Sequence, residues 1–279
     1  MRVFITAIGS FLGGALASHL SARGHSVSGS TRRELELGKP FDLQIFAGQD
    51  AIIHCAHDFT PGARDMNCKW TQAWMDAAAA SGARRQIYMS SHAARPDVDS
   101  EYGQTKFAIE QMFLTAGYTV VRPGLVRGDG GLYKRQRSML ERLPVVPILG
   151  SGLNPIATLS LEEFLIAVTT LLEEDRRGGF NLFDEPMPTY RSFVTGMRPG
   201  RRTTFISVPI RLALALAQIA AWTRLPIPIR PAQIRTLLAN ATSPWRSDLK
   251  KLISVSPRSN SITSPHVSET ANSIRTNSI

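Results

Sequence analysis

Cysteine is scarce in this 279-residue chain, and acidic residues almost vanish from its last third. The two cysteines, Cys55 and Cys68, are too few for a disulfide framework. Both fall in apolar or helical stretches, where a reduced thiol behaves as a small hydrophobe, so a cytoplasmic protein is expected. Long hydrophobic runs are missing too. The opening "MRVFIT" is too short for a signal peptide and has the β-branched and aromatic content of a buried first strand. The apolar stretch from Leu212 to Trp222, eleven residues between Arg211 and Arg224, is too short to span a bilayer as a helix and reads as a buried or interfacial one. No spacing of His, Cys, Asp and Glu suggests a metal site, and no Gly-x-Ser-x-Gly elbow follows any strand.

What is present is unevenly placed. Residues 1 to 185 hold 19 Lys and Arg against 20 Asp and Glu, whereas residues 186 to 279 hold 13 against 2, so the net charge of +10 comes entirely from the last third. Such an asymmetry suits an anionic partner. An anionic small-molecule substrate and peripheral contact with a membrane surface both fit; nucleic acid does not, because no helix-turn-helix, zinc-finger or aromatic-basic RNA motif is visible. A solvated basic face without a partner is the plain alternative.

The first half alternates short apolar runs with longer helical patterns: "RVFITA", "LGGALASHLSARG", "SVSGST", "DAIIHCA", "TQAWMDAAAASGA", "QIYMSS", "EYGQTKFAIEQMFLTAG", "YTVVRPG". Continuous apolar strands separated by helices predict an α/β fold, a doubly wound parallel sheet covered on both faces. Helices close on glycine in "ARGHSV", "ASGARRQIYM" and "TAGYTVV", the position where glycine relieves a left-handed turn. The expected organisation is a domain over 1–150, completed by elements within about 156–184. A basic, partly helical region follows over 185–253, and a Ser-, Thr-, Asn- and Pro-rich tail over 254–279 has too little apolar area to order itself.

Within "DSEYGQTKFAIEQ", Tyr102 and Lys106 lie four apart and share one helix face. With five tyrosines and six lysines, chance places such a pair in about one chain in ten, so the spacing alone decides nothing. The neighbourhood adds weight. Ser91 ends the strand "QIYMSS", and "VVRPG" ends the next, so Ser91, Tyr102 and the backbone of Pro123 and Gly124 are expected to converge at the carboxyl edge of the sheet. There a serine hydroxyl holds a substrate oxygen and a phenol exchanges the proton, its pKa lowered by the Lys106 ammonium.

These motifs, taken in order, resemble the extended short-chain dehydrogenase/reductases of the NAD-dependent epimerase/dehydratase type, over residues 1 to about 253. The residues that carry the resemblance are "ITAIGSFLGGALA", "DAIIHCAH", Asn67, "YMSS", "YGQTK" and "RPGLVRG". The resemblance implies a Rossmann-like fold with a smaller C-terminal region covering the substrate, and Ser91, Tyr102 and Lys106 as catalytic residues. It further implies that Thr6, Gly9, Ser10, Phe11, Leu12, Gly13, Cys55, Ala56, His57, Tyr102, Lys106, Pro123 and Gly124 border an NAD or NADP cofactor, with Asp42 at its adenine. A homodimer is compatible with it.

Two departures qualify the resemblance. The family's nucleotide loop reads Thr-Gly-x-x-Gly-x-x-Gly, but here only Gly13 keeps register: Ala7 and Ser10 replace two glycines, and Gly9 is displaced by one. After the second strand, where NAD users commonly carry an acid, this chain has Thr31-Arg32-Arg33, which favours the 2′-phosphate of NADP. His92 and Ala93 stand where sugar-nucleotide dehydratases have an acidic pair, so dehydration is disfavoured. Epimerisation of a nucleotide-linked sugar and reduction of a small carbonyl compound both remain. A different class of reading is a non-catalytic dinucleotide-binding module on a membrane surface or in a complex.

Overall fold

Val3, Phe4 and Ile5 are all buried, yet they do not meet the same neighbours. Val3 and Ile5 point to one face of a sheet and Phe4 to the other, as the two-residue strand period requires. The computed structural model describes residues 1–200, 202–215 and 245–255, and in it this first strand, β1 (Arg2–Thr6), lies inside a six-stranded sheet. Its partners are β2 (Ser26–Ser30), β3 (Ala51–His54), β4 (Arg85–Met89), β5 (Thr119–Pro123) and β9 (Gly178–Leu182), in the order β2-β1-β3-β4-β5-β9. Every pairing is parallel. The fold is therefore the doubly wound Rossmann-like α/β architecture read from the sequence.

Helices cover both faces. On one, α1 (Phe11–Ala22) and α5 (Leu161–Glu173) bury Leu16, Leu20, Phe164 and Val168 against Val3, Ile5, Ile53 and Val121. On the other, α2 (Arg64–Ala80) and α3 (Glu101–Thr115) bring Trp74, Ile109 and Phe113 against Phe4, Ile52, Tyr88 and Val120. The glycines after α1, α2 and α3, namely Gly24, Gly82 and Gly117, have φ of 84°, 88° and 75°, the left-handed stop that the sequence predicts.

The remaining elements stand at one end. Strand β6 (Leu125–Arg127) pairs with β8 (Thr158–Ser160), and β7 (Val145–Leu149) with β10 (Thr204–Val208), both in parallel. Two more helices, α4 (Gly131–Glu141) and α6 (Tyr190–Gly196), complete this part, with Leu140, Val146 and Phe193 forming a separate small core. Glu163 closes a capping box with Ser160 at the start of α5. The last described helix, α7 (Leu249–Val255), returns to the main core through Leu249 and Leu252. Just before it, Asp248 exchanges hydrogen bonds with the backbone of Asn181, its Oδ2 accepting at 3.0 Å and its N–H donating at 2.8 Å. The expected tail over 254–279 falls almost wholly outside the described residues, as do the greater part of the apolar stretch Leu212 to Trp222 and the proline segment at 224–231. Among the described residues no helix is long and apolar enough to cross a membrane.

Strand order places the functional edge. The chain runs from β1 outward to β2 and then crosses back to β3 on the other side, so the carboxyl ends of β1 and β3 flank a topological switch point.

Candidate active site

At that switch point the Thr6 hydroxyl accepts from the N–H groups of Cys55 and Ala56, at 3.0 and 3.1 Å. The bond ties the end of β1 to the chain leaving β3. The next residue is the unusual one: Ala7 has φ of 54°, a left-handed conformation that costs an L-residue about 1 to 2 kcal/mol. It stands where the resembling family has glycine. Gly9 does not take over that duty, since its φ is ordinary and a Cβ there would meet nothing within 4 Å. Gly13 is indispensable for a different reason: a Cβ at this position would lie 2.5 Å from the Ala7 carbonyl oxygen. Ser10 caps α1, its Oγ accepting from Gly13 N at 3.1 Å. Phe11 packs its ring on the glycines of the loop after β6, where a Cβ at Gly130 would come within 2.1 Å of it. Leu12 is partly buried against the main core.

Beyond β2, Arg32 is ion-paired with Asp58 at 3.2 Å and Glu36 at 3.6 Å. Asp58 belongs to the loop after β3, so Arg32 bridges the mouth of the switch-point crevice. Arg33 is exposed. The sequence reading missed Glu34, whose Oε2 accepts from both Thr31 N (2.7 Å) and Thr31 Oγ (3.0 Å). Those bonds hold its carboxyl below the usual range, so a carboxylate stands beside the two arginines. Its signal was visible as Thr31-x-x-Glu34, a capping-box spacing. Asp42 is exposed and caps the short 3-10 turn Leu43–Phe46, one oxygen accepting from Gln44 N at 2.9 Å.

The other end of the crevice is built from β4 and α3. Ser100 caps α3 through Gly103 N, and Gly103 lies so close to Ala93 that a Cβ would come within 2.5 Å of its carbonyl oxygen. This close approach seats the first turn of α3 on the loop that follows Ser91. The Ser91 hydroxyl lies within interaction distance of the Tyr102 phenol and favours its charged form. One turn on, Lys106 Nζ donates to the Met89 carbonyl at 2.7 Å and lies 4.8 Å from the centroid of the Tyr88 ring.

Burial raises the Tyr102 phenol, with only Ser91 opposing it. The lowering expected from Lys106 does not appear here; the ammonium donates instead to the Met89 carbonyl at the end of β4. Lys106 itself is pushed down to about 8 by burial, with Cys55 and Glu110 opposing. The Cys55 thiol is pushed up to about 12 by burial, so it stays protonated. The His57 ring meets Tyr102 edge-on at 5.2 Å, and burial, then Lys106, push it down to about 2. Phe59, 71% exposed, stacks on the other side of the Tyr102 ring at 5.6 Å.

The structure thus brings Ser91, Tyr102, Lys106, Cys55 and His57 together, and Thr6 and Ala56 adjoin them. Pro123 and Gly124 close the wall through engaged backbone groups: the Pro123 carbonyl accepts from His92 N and Gly124 N donates to the Leu182 carbonyl, each at 2.9 Å. His54 faces away, its Nε2 paired with Gln86 at 2.9 Å in the core. Asp42 and Arg33 are not drawn into this group.

No protein-family model matches the chain, and no curated protein matches it. Solved structures do. Dehydrorhamnose reductase from Bacillus anthracis (dTDP-4-dehydrorhamnose reductase, in complex with NADP) is 17% identical with a TM-score of 0.61, over 74% of this chain and 84% of that one. The human epimerase family protein SDR39U1 with NADPH is 18% identical, TM-score 0.61, over 91% of this chain and 100% of that one. UDP-glucose 4-epimerase from Thermotoga maritima with UDP-glucose is 16% identical, TM-score 0.58, over 74% and 86%. At these identities the likeness shows the fold alone: the chain shares the Rossmann-like architecture of these structures.

Proposed function

We propose that the chain is an NAD(P)-dependent oxidoreductase or epimerase of the extended short-chain dehydrogenase type. The observation that carries this reading is the meeting of Ser91, Tyr102 and Lys106 at the carboxyl ends of parallel strands beside the switch point. A dinucleotide fits the residues there. The free first-turn N–H groups of α1 suit a pyrophosphate, Gly13 lets the loop close tightly on the start of that helix, and the buried Ser30 hydroxyl at the end of β2 has no hydrogen-bond partner among the described residues, which suits the adenosine ribose. A dinucleotide bound there would supply or accept the hydride.

In this reading the Ser91 hydroxyl holds a hydroxyl or carbonyl oxygen of the substrate, and Tyr102 gives or takes its proton. A raised phenol is protonated at neutral pH and is poised to donate, which suits carbonyl reduction. Lys106 would add a positive charge where the nicotinamide ribose binds. The substrate is small and anionic, nucleotide-linked sugars among the candidates, because the region after residue 185 is basic and the neighbouring structures act on or bind such molecules.

Tyr102→Phe is the test. Turnover on a panel of nucleotide sugars and small carbonyl compounds should fall by at least about a hundredfold, while dinucleotide affinity by calorimetry stays within a few-fold. Near-normal turnover would end the mechanism. Mass spectrometry of nucleotide released from the purified protein divides the two activities: tightly held NAD points to an epimerase, NADP or none to a reductase. The left-handed Ala7 favours a second reading, a non-catalytic binding module. Dinucleotide binding without turnover on any substrate would select it.

A further inference from the structure

Tyr102, Lys106 and Glu110 follow one another at four-residue spacing on one face of α3, and the third member has had no role so far. Glu110 is 0% exposed. Its Oε2 accepts from Ser90 Oγ and from Arg122 Nε, each at 2.9 Å, and its Oε1 accepts from Arg122 Nη2 at 3.0 Å. Arg122, on β5, is held in turn: Nη1 donates to Asn181 Oδ1 at 3.4 Å, and the guanidinium lies 4.4 Å from the centroid of the Trp245 ring. Ser90 follows Met89 in the chain, so Glu110 and Lys106 hold successive residues at the end of β4.

We propose that Glu110, balanced by Arg122, is a positioning residue that keeps Lys106 charged in the site. Several other groups surround the ammonium. From the end of β3 come the Cys55 thiol and the His57 ring, from β4 the Tyr88 ring and the Met89 carbonyl, and from α3 itself Tyr102. Burial keeps the thiol and both phenols protonated and the imidazole neutral. The formal charges left among these neighbours are Glu110 and, behind it, Arg122. A buried ammonium is disfavoured by its own desolvation, so the nearest negative charge decides how much of it survives near neutral pH. The same bidentate pair fixes the α3 face to β5, which ties the charge to the geometry.

Only the functional consequence rests on the reading above; the charge itself is measurable in cofactor-free protein. Lysine labelled with 13C gives the titration of each side chain by NMR, with Lys106→Arg assigning the Lys106 signal. Glu110→Gln keeps the shape but leaves Arg122 uncompensated, so the Lys106 midpoint should fall by at least about one pH unit, a tenfold loss of charged form on the alkaline side. The double variant Glu110→Gln, Arg122→Gln removes both charges and should return the midpoint most of the way. An unchanged midpoint in the single variant, or a double variant that stays as low, would overturn the proposal, because loss of packing alone does not reverse when the second charge is removed. If the single variant does not fold, labelled glutamate in the unmodified chain serves: the Glu110 carboxyl signal should inflect where Lys106 titrates, and a flat signal there would overturn it equally. Dinucleotide calorimetry from pH 6 to 10 separates the two readings. Lys106 shifting as expected while affinity ignores it would defeat the proposed function and leave this inference standing.

Discussion

The two ends of the crevice are built to different standards. At the Tyr102 end, the side chains are buried and close-set: Lys106 has a backbone acceptor, Ser91 stands beside Tyr102, and glycine stands where Ala93 approaches. At the nucleotide-loop end, an alanine carries the left-handed turn, and the glycine beside it serves no steric need. The lesson is that a proton-transfer centre needs exact placement of few atoms, whereas an anion site at a helix N-terminus draws on backbone N–H groups and tolerates an imperfect approach.

Acid should expose the difference first. His92, buried beside Ser91 and against Phe183, has its pKa pushed down to about 4 by burial. As the unfolded chain takes up the proton near 6.5, stability is full above that pH and is lost as pH falls from 6.5 through about 4. The loss is up to about 3 kcal/mol for this group. Thermal unfolding at pH 7 and pH 4 should show the drop, and His92→Gln should lessen it while the part owed to the buried His54 and His57 remains; an equal slope in the variant would remove His92 as a source.

Next in size is Gly13→Ala. With the new Cβ set against the Ala7 carbonyl and the Ser10 hydroxyl, backbone must shift, at about 1 to 3 kcal/mol. The melting temperature should fall by several degrees and dinucleotide affinity by tenfold or more. The reverse experiment, Ala7→Gly, should stabilise by less than about 1 kcal/mol, because relief of the left-handed strain is partly offset by the greater freedom of glycine in the unfolded chain. Tighter dinucleotide binding in this variant would show that the loose end limits affinity; unchanged binding would make the two ends more alike than their geometry suggests.

The smallest effect belongs to the rim. NADPH should bind more tightly than NADH, and Arg32→Ala should narrow the difference by no more than about fivefold, since an exposed ion pair contributes little. Glu34→Gln should widen it. Equal affinities in the unmodified protein, measured by calorimetry, would refute the NADP preference.

The same contrast governs what could be read in advance. Continuous apolar strands and terminal glycines announced the sheet, because burial on both faces and left-handed helix ends leave residue-level traces. Ser91, Tyr102 and Lys106 were readable because one motif spacing places two of them and a strand end the third. The electrostatics were not. Whether Lys106 reaches the phenol or the Met89 carbonyl depends on side-chain direction, and no spacing records it. The Glu110–Arg122 pair joins a helix to a strand, and Trp245 comes to it from a distant part of the chain, so neither shows as a local pattern. Ala7 is the sharper case. Its propensity argues against the conformation it adopts, and only the surrounding bonds, such as Ile8 N to the Ser30 carbonyl at 2.9 Å, impose it.

The return of the chain at Trp245 to Val255 also bears on how the protein is made. Asn181 on β9 waits for Asp248, Arg122 waits for Trp245, and α5 waits for the apolar side chains of α7. During synthesis the whole six-stranded sheet emerges from the ribosome before these residues exist, and a nascent chain at that stage carries an uncapped strand and an open apolar groove. Such contacts between distant residues form late and leave the intermediate prone to association. Docking of Trp245 to Val255 is therefore the step that closes the core after the sheet has formed, and the time it takes sets how long that intermediate stays open.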